Sequence, residues 1–216
     1  MKYKLIIFDI DGTITRHVSS WRLIHEKLNI WDDMAIKYQK RFLAGKISYK
    51  RFCELDAACW KALPETKIAN LFRPIRYTKN AKNSIKKLKK LGFILAAVST
   101  GLQYIGEGIR DELSLDYLLT NRLLAKKGVL TGKVSVNIIH GKKGKAVKDI
   151  QSLFKVMPRE TICIGDNEGD ISLIRDAGYG IAFNSTSKAL SKMADYDCKS
   201  KDFKEPFQLI TDITFS

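Results

Sequence analysis

Lys4-Leu5-Ile6-Ile7-Phe8-Asp9-Ile10-Asp11-Gly12-Thr13 decides the fold, because an apolar run of strand length gives way directly to two carboxylates two residues apart. A strand hydrophobic on both faces belongs at the centre of a parallel sheet. Its carboxyl end opens into the crevice where α/β proteins bind ligands. One carboxylate can attack phosphorus while the other handles the proton of the leaving group, an arrangement suited to magnesium-dependent phosphoryl transfer. Gly12 lets the chain turn sharply beside a ligand. The plainer alternative is an N-terminal strand followed by a solvated Asp-Gly turn.

Outward from this stretch, about Val18 to Leu71 shows helical periodicity. Trp21, Ile24 and Leu28 share one face, Tyr38, Phe42 and Leu43 suggest a second, and Ser48 can cap a helix carrying Phe52, Leu55 and Cys59 before Pro64. Strands and helices then alternate. Ala81 to Leu91 is an amphipathic helix stopped by Gly92, and Phe93 to Val98 is a buried strand. Arg122 to Val136 reads as a hairpin turning at Lys127-Gly128 beside the main sheet. Lys143 to Phe154 is a helix, Thr161 to Ile164 a strand, about Asp170 to Asp176 a helix, and Gly180 to Phe183 the last core strand. The expectation is a doubly wound, Rossmann-like α/β core over residues 1–16 and 75–216, with a small helical cap over 17–74 inserted after the first strand.

Composition narrows the function classes. With 216 residues and 45% hydrophobic content, the chain can build one substantial core with an inserted lobe. It has no apolar run near the roughly 20 residues of a spanning helix and no signal-peptide pattern, so a soluble cytoplasmic protein without a membrane partner is expected. Cys53, Cys59, Cys163 and Cys198 lack metal-ligand spacing and are expected to be reduced and structural. The net charge of +15 suits anionic ligands. Lys86-Lys87-Leu88-Lys89-Lys90 reads as a solvated helical face, and without an aromatic-interleaved basic stripe no nucleic-acid partner is expected.

Three strand ends carry what a phosphate site needs: Asp9 and Asp11, then Ser99-Thr100-Gly101, then Asp166 with Asp170. Parallel strands bring these ends to one edge. Ser99 and nearby N–H groups, with a helix starting near Gln103, can hold phosphate oxygens. Asp9 and Asp166 offer hard oxygen ligands for Mg2+, and Lys143 can neutralise the nucleophile and the transferring group. Each residue has an ordinary explanation alone, as a turn, surface or helix-entry residue. Four segments in the right order make coincidence a poor account.

These residues resemble the motifs of the haloacid dehalogenase superfamily: Asp9 to Thr13 the first, Ser99 the second, Lys143 the third and Gly165 to Asp170 the fourth. The resemblance implies that Asp9 forms an aspartyl-phosphate and that Asp11 is general acid and then base. It further implies that Asp9, the Asp11 main-chain carbonyl and Asp166 hold Mg2+, with Asp170 behind them. Asp11 points to phosphatases and phosphotransferases, since dehalogenases of the superfamily lack it. Ala44 to Tyr49, Leu115-Asp116-Tyr117, Asn121-Arg122 and Leu130-Thr131-Gly132 resemble the phosphoserine phosphatase branch. Three positions depart from that branch: Val18 replaces its substrate-binding Glu, an ungapped alignment puts Asp56 in place of its cap Arg, and Gly169 replaces an Asn.

The expected function is a Mg2+-dependent phosphatase of a small phosphate monoester, monomer or homodimer. Arg16, His17, Val18, Trp21, Arg51 and Asp56 are the candidate cap contacts, with L-phosphoserine expected to be a poor substrate. The alternatives are a phosphoserine phosphatase proper, a phosphotransferase or mutase, and an inactive basic binding protein.

Overall fold

The computed structural model describes residues 1–17, 19–30 and 33–216. The opening stretch forms β1 (Leu5–Phe8), and its alternation feeds two cores. Leu5 and Ile7 enter one apolar layer with Val147, Ile150 and Leu173, whereas Ile6 and Phe8 enter the other with Ile85, Leu88 and Ile210. A strand buried on both faces therefore has no room for a polar residue until it ends at Asp9.

β1 pairs in parallel with β2 (Ile94–Leu102) and β5 (Thr161–Gly165). Beyond them lie β3 (Tyr117–Lys126) and β4 (Val129–Ser135) on one side, β6 (Tyr179–Phe183) and β7 (Tyr196–Cys198) on the other. Among the described residues the order is β4-β3-β2-β1-β5-β6-β7, antiparallel only between β3 and β4. Leu5 lies beside both Ile94 and Thr161, and Asp9 N donates to Ile164 O at 2.8 Å. This register brings the carboxyl ends of the three central strands to one edge, where Asp9 and Asp166 follow β1 and β5 and Ser99 lies near the end of β2.

Helices α5 (Ala81–Lys90), α6 (Gln103–Leu113) and α10 (Lys204–Phe215) supply the first face. The second is covered by α7 (Gly144–Phe154), α8 (Ile171–Arg175) and α9 (Lys188–Met193). Between β1 and α5 come α1 (Ser20–Lys27), α2 (Asp33–Leu43), α3 (Tyr49–Cys59) and α4 (Glu65–Leu71). Ser48 caps α3 by accepting from Arg51 N at 3.1 Å, as its hydroxyl at that position suggests. Inside this helical segment Trp21 stacks on Trp60 at 5.7 Å beside buried Ile24, Cys53 and Ile68. Its main chain also pairs with the hairpin: Ala62 N donates to Leu130 O and Leu130 N to Leu63 O, both at 2.9 Å, and Glu65 N to Gly128 O at 2.8 Å.

Several sequence expectations need correction. Gly180 to Phe183 lies in β6 but is not the last strand, because three-residue β7 follows and is too short to show a period. The hairpin is part of the main sheet, β3 pairing directly with β2. Leu43 is 73% exposed, on the open side of α2. All four cysteines are thiols outside any disulfide, as expected, but Cys59 is exposed where a structural role is expected. No described helix is long and apolar enough to cross a membrane.

Candidate active site

A cavity of about 250 Å3 opens at the edge where the three strands end, with Asp9, Asp11, Lys143 and Asp166 among its lining residues. Asp9 is buried, and Lys143 Nζ donates to its Oδ1 and to Asp170 Oδ1, the latter at 2.6 Å. Lys143 reaches them because it heads α7, its own N–H held by Ser172 Oγ at 2.9 Å. Burial pushes the Asp9 carboxyl well above the ordinary carboxylate range; Lys143 opposes this, and Asp170 and Asp166 add to it. Burial works against the Lys143 ammonium, yet Asp170 and Asp9 together lift its pKa above the usual lysine range.

Asp11 is fixed from the start of α1. Ser20 N donates to its Oδ2 at 3.0 Å, while its buried Oδ1 has no hydrogen-bond partner among the described residues. Burial raises its pKa, offset in part by the hydrogen bonds from Ser20 and by Lys143. Asp11 thus presents a carboxyl with one oxygen held and one free, the disposition of a proton donor and acceptor.

Asp166 follows β5 and is pushed up to about 7 by burial and by Asp170. Asp170 Oδ2 accepts from Asp166 N at 3.0 Å and Asn167 N at 3.2 Å, so both its oxygens are committed and it braces the loop. Gly12, at φ +92°, turns where any Cβ would collide with the Asp166 carboxylate. Asp9, Asp166 and Asp170 offer carboxylate oxygens within 4.8 Å of one another. Three crowded carboxylates and an all-oxygen donor set fit a small hard divalent cation.

Ser99 and Thr100 sit at the end of β2 but do different work. Ser99 Oγ accepts from Gly101 N at 2.9 Å, close to Asp11 around Gly101. Thr100 lines the cavity, and its carbonyl accepts from Trp21 Nε1 at 3.0 Å, Tyr49 Oη at 3.0 Å and Asn121 Nδ2 at 2.9 Å. Two of those donors come from the helical segment, so one main-chain oxygen ties it to the sheet edge. Asn121 also accepts from Asn137 N and Ile138 N, at 2.8 and 2.9 Å.

Of the candidate cap contacts, only Trp21 lines the cavity among the described residues, and Val18 lies outside them. Arg16 is exposed, its Nε donating to Tyr77 O at 3.0 Å where the chain enters the helical segment. His17 is half-buried away from the cavity; burial, then Arg76 and Lys27, lower its pKa. Arg51 lies on the exposed face of α3 with Glu54 at 3.4 Å. Asp56 points the other way, buried 3.4 Å from His25, because its position on α3 faces the packed interior. Its carboxylate is not in the cavity wall, so it supplies no repulsion there.

Sequence reasoning missed Phe42, Tyr49, Phe52 and His140 as cavity residues. Phe42 and Phe52 stack at 5.3 Å and 8°, and Phe42 meets Tyr49 at 5.5 Å and His140 at 5.9 Å. The apolar period of α2 and α3 gave a signal for the rings; for His140 the one clue was its place three residues before Lys143.

The family model for haloacid dehalogenase-like hydrolases matches residues 6–175. The chain belongs to that family, and the likeness makes it a phosphoric monoester hydrolase using aspartyl-phosphate chemistry. It is 30% identical over 210 residues to phosphoserine phosphatase of Methanocaldococcus jannaschii, covering 97% of this chain and 98% of that one. Identity to the Idiomarina loihiensis phosphoserine phosphatase is 29% over 202 residues, 93% of this chain and 90% of the other. A phospho-aspartyl intermediate analogue of phosphoserine phosphatase superposes with a TM-score of 0.82 at 30% identity, covering 97% of this chain and 99% of that chain. A substrate-bound phosphoserine phosphatase gives 0.83 at 29% identity, with the same coverage.

Proposed function

We propose that this chain hydrolyses a small phosphate monoester with Asp9 as nucleophile, Asp11 as general acid and base, and Mg2+ as cofactor. The single observation that carries the reading is that a Lys143-held Asp9 lines the same cavity as Asp11, whose Oδ1 has no partner among the described residues. With Oδ1 of Asp9 fixed, its other oxygen attacks phosphorus. The bond from phosphorus to the ester oxygen breaks as the Asp11 carboxylic acid protonates that oxygen. Asp11, now a carboxylate, takes a proton from water; the water oxygen attacks phosphorus, the Asp9–phosphorus bond breaks, and inorganic phosphate leaves.

Lys143 offsets charge on Asp9 and on the arriving phosphate, and Ser99 with the N–H groups after β2 holds phosphate oxygens. Mg2+, when bound by Asp9, Asp166 and the Asp11 main-chain carbonyl, would supply the positive charge that lets a dianion approach two carboxylates. Residues 17–74 act as the cap that excludes water and selects the leaving group. A phosphoserine phosphatase proper is the second reading, supported by the names of the relatives.

Asp9→Asn tests the proposal. The variant keeps the shape but lacks the nucleophilic charge, so it should remain folded and release no phosphate above background from any monoester. Near-wild-type turnover, or acid-stable phosphate labelling on another residue, removes Asp9 from this role.

A further inference from the structure

Beyond the shared chemistry, the cavity specifies a leaving group. Its charged lining residues are Asp9, Asp11, Lys143 and Asp166, all on the floor; Lys143 is already committed to Asp9 and Asp170. Among the described residues no charged side chain lines the wall above them, and Arg51 and Asp56 do not reach it. That wall is built from Trp21, Phe42, Tyr49, Phe52 and His140, with exposed Leu43 at its edge. The polar atoms of two rings are already engaged, since Trp21 Nε1 and Tyr49 Oη both donate to Thr100 O. What these two rings have left to offer a ligand is mainly carbon.

His140 completes the chamber through Gly169. A Cβ at Gly169 would lie 2.7 Å from His140 Cε1, so the imidazole occupies space that any side chain there would need. Burial and nearby Lys143 hold the imidazole toward its neutral form. The remaining polar lining residues, Ser19, Gln39, Thr100 and Asn167, are uncharged. Among the described residues, an ammonium or carboxylate carried against this wall would find charged side chains only on the floor, where the phosphate is handled, whereas a ring would meet aromatic faces in edge and stacked geometries.

Resting on the phosphatase reading above, we propose that the preferred substrate is the phosphate monoester of an uncharged alcohol bearing an aromatic ring, seated against the Phe42–Phe52 stack and His140. The volume of about 250 Å3 limits it to a single small ring.

The test compares kcat/KM, with Mg2+ present, for benzyl phosphate, ethyl phosphate and L-phosphoserine, three esters of unactivated alcohols. Benzyl phosphate should exceed each of the others at least tenfold, and Phe42→Leu, which keeps bulk but removes the ring, should bring the benzyl-to-ethyl ratio down severalfold. L-phosphoserine or ethyl phosphate turned over as well as benzyl phosphate overturns the proposal and leaves the phosphatase reading intact. An unchanged ratio in a folded Phe42→Leu variant overturns the assigned seat. Release of phosphate from none of the three overturns this proposal, and the phosphatase reading fails with it only if p-nitrophenyl phosphate, an activated generic ester, is not hydrolysed either.

Discussion

Lys143→Met removes one ammonium and leaves its two carboxylate partners, Asp9 and Asp170, buried side by side. Stripping one partner from a buried ion pair costs about 3–5 kcal/mol. Here Asp9 can take up a proton, which holds the loss near the lower end, about 3 kcal/mol. For a chain of this length that is a fall in Tm of about 6–12 °C. The pH dependence has a definite sign. Asp9 already binds its proton more tightly folded than at the ordinary value of 3.8, and losing Lys143 raises its pKa further. A raised carboxylate pKa destabilises the fold as pH climbs through it, so the deficit should be larger at about pH 8 than at about pH 5.5. Thermal unfolding in EDTA, followed by circular dichroism at both pH values, measures it. Turnover with Mg2+ should drop about a hundredfold or more. Equal Tm values at about pH 8, or a deficit that widens in acid, would refute this account of Lys143.

EDTA should abolish phosphate release and Mg2+ restore it, while Ca2+ inhibits through its larger, looser shell; undiminished turnover by metal-free protein counts against the assigned ligands. Gly12→Ala should cost about 1–3 kcal/mol for the positive φ, yet depress turnover about a hundredfold because the new methyl displaces Asp166. Denaturation midpoints beside kinetics at saturating Mg2+ separate the two effects, and wild-type kcat would show that the loop tolerates the methyl.

The central sheet and the site floor were legible because their causes are local. β1 is apolar on both faces and stops at a carboxylate, and Asp9, Asp11, Ser99, Lys143 and Asp166 each stand at a strand end or helix start. The cap was less legible because recognising helices does not fix which face each residue takes once they pack. Asp56 follows from alignment spacing alone as a cavity residue, but its turn of α3 faces His25. Asn121 bonds across long chain separations to Thr100 and Asn137, and a single sequence cannot reveal such partners. Short β7 and the C-terminal α10 complete the sheet and its cover with little local signal of their own.

The main-chain pairing of residues 62–65 with the hairpin also bears on solubility. β4 ends the sheet, and an unpaired terminal strand is a template for another chain. Ala62, Leu63 and Glu65 occupy part of that template through Leu130 and Gly128, and Pro64 beside Val129 brings no donor of its own. The lobe that covers the cavity therefore also blunts the border against edge-to-edge aggregation. Pulling residues 62–65 off the hairpin would break these three main-chain bonds and bare that border.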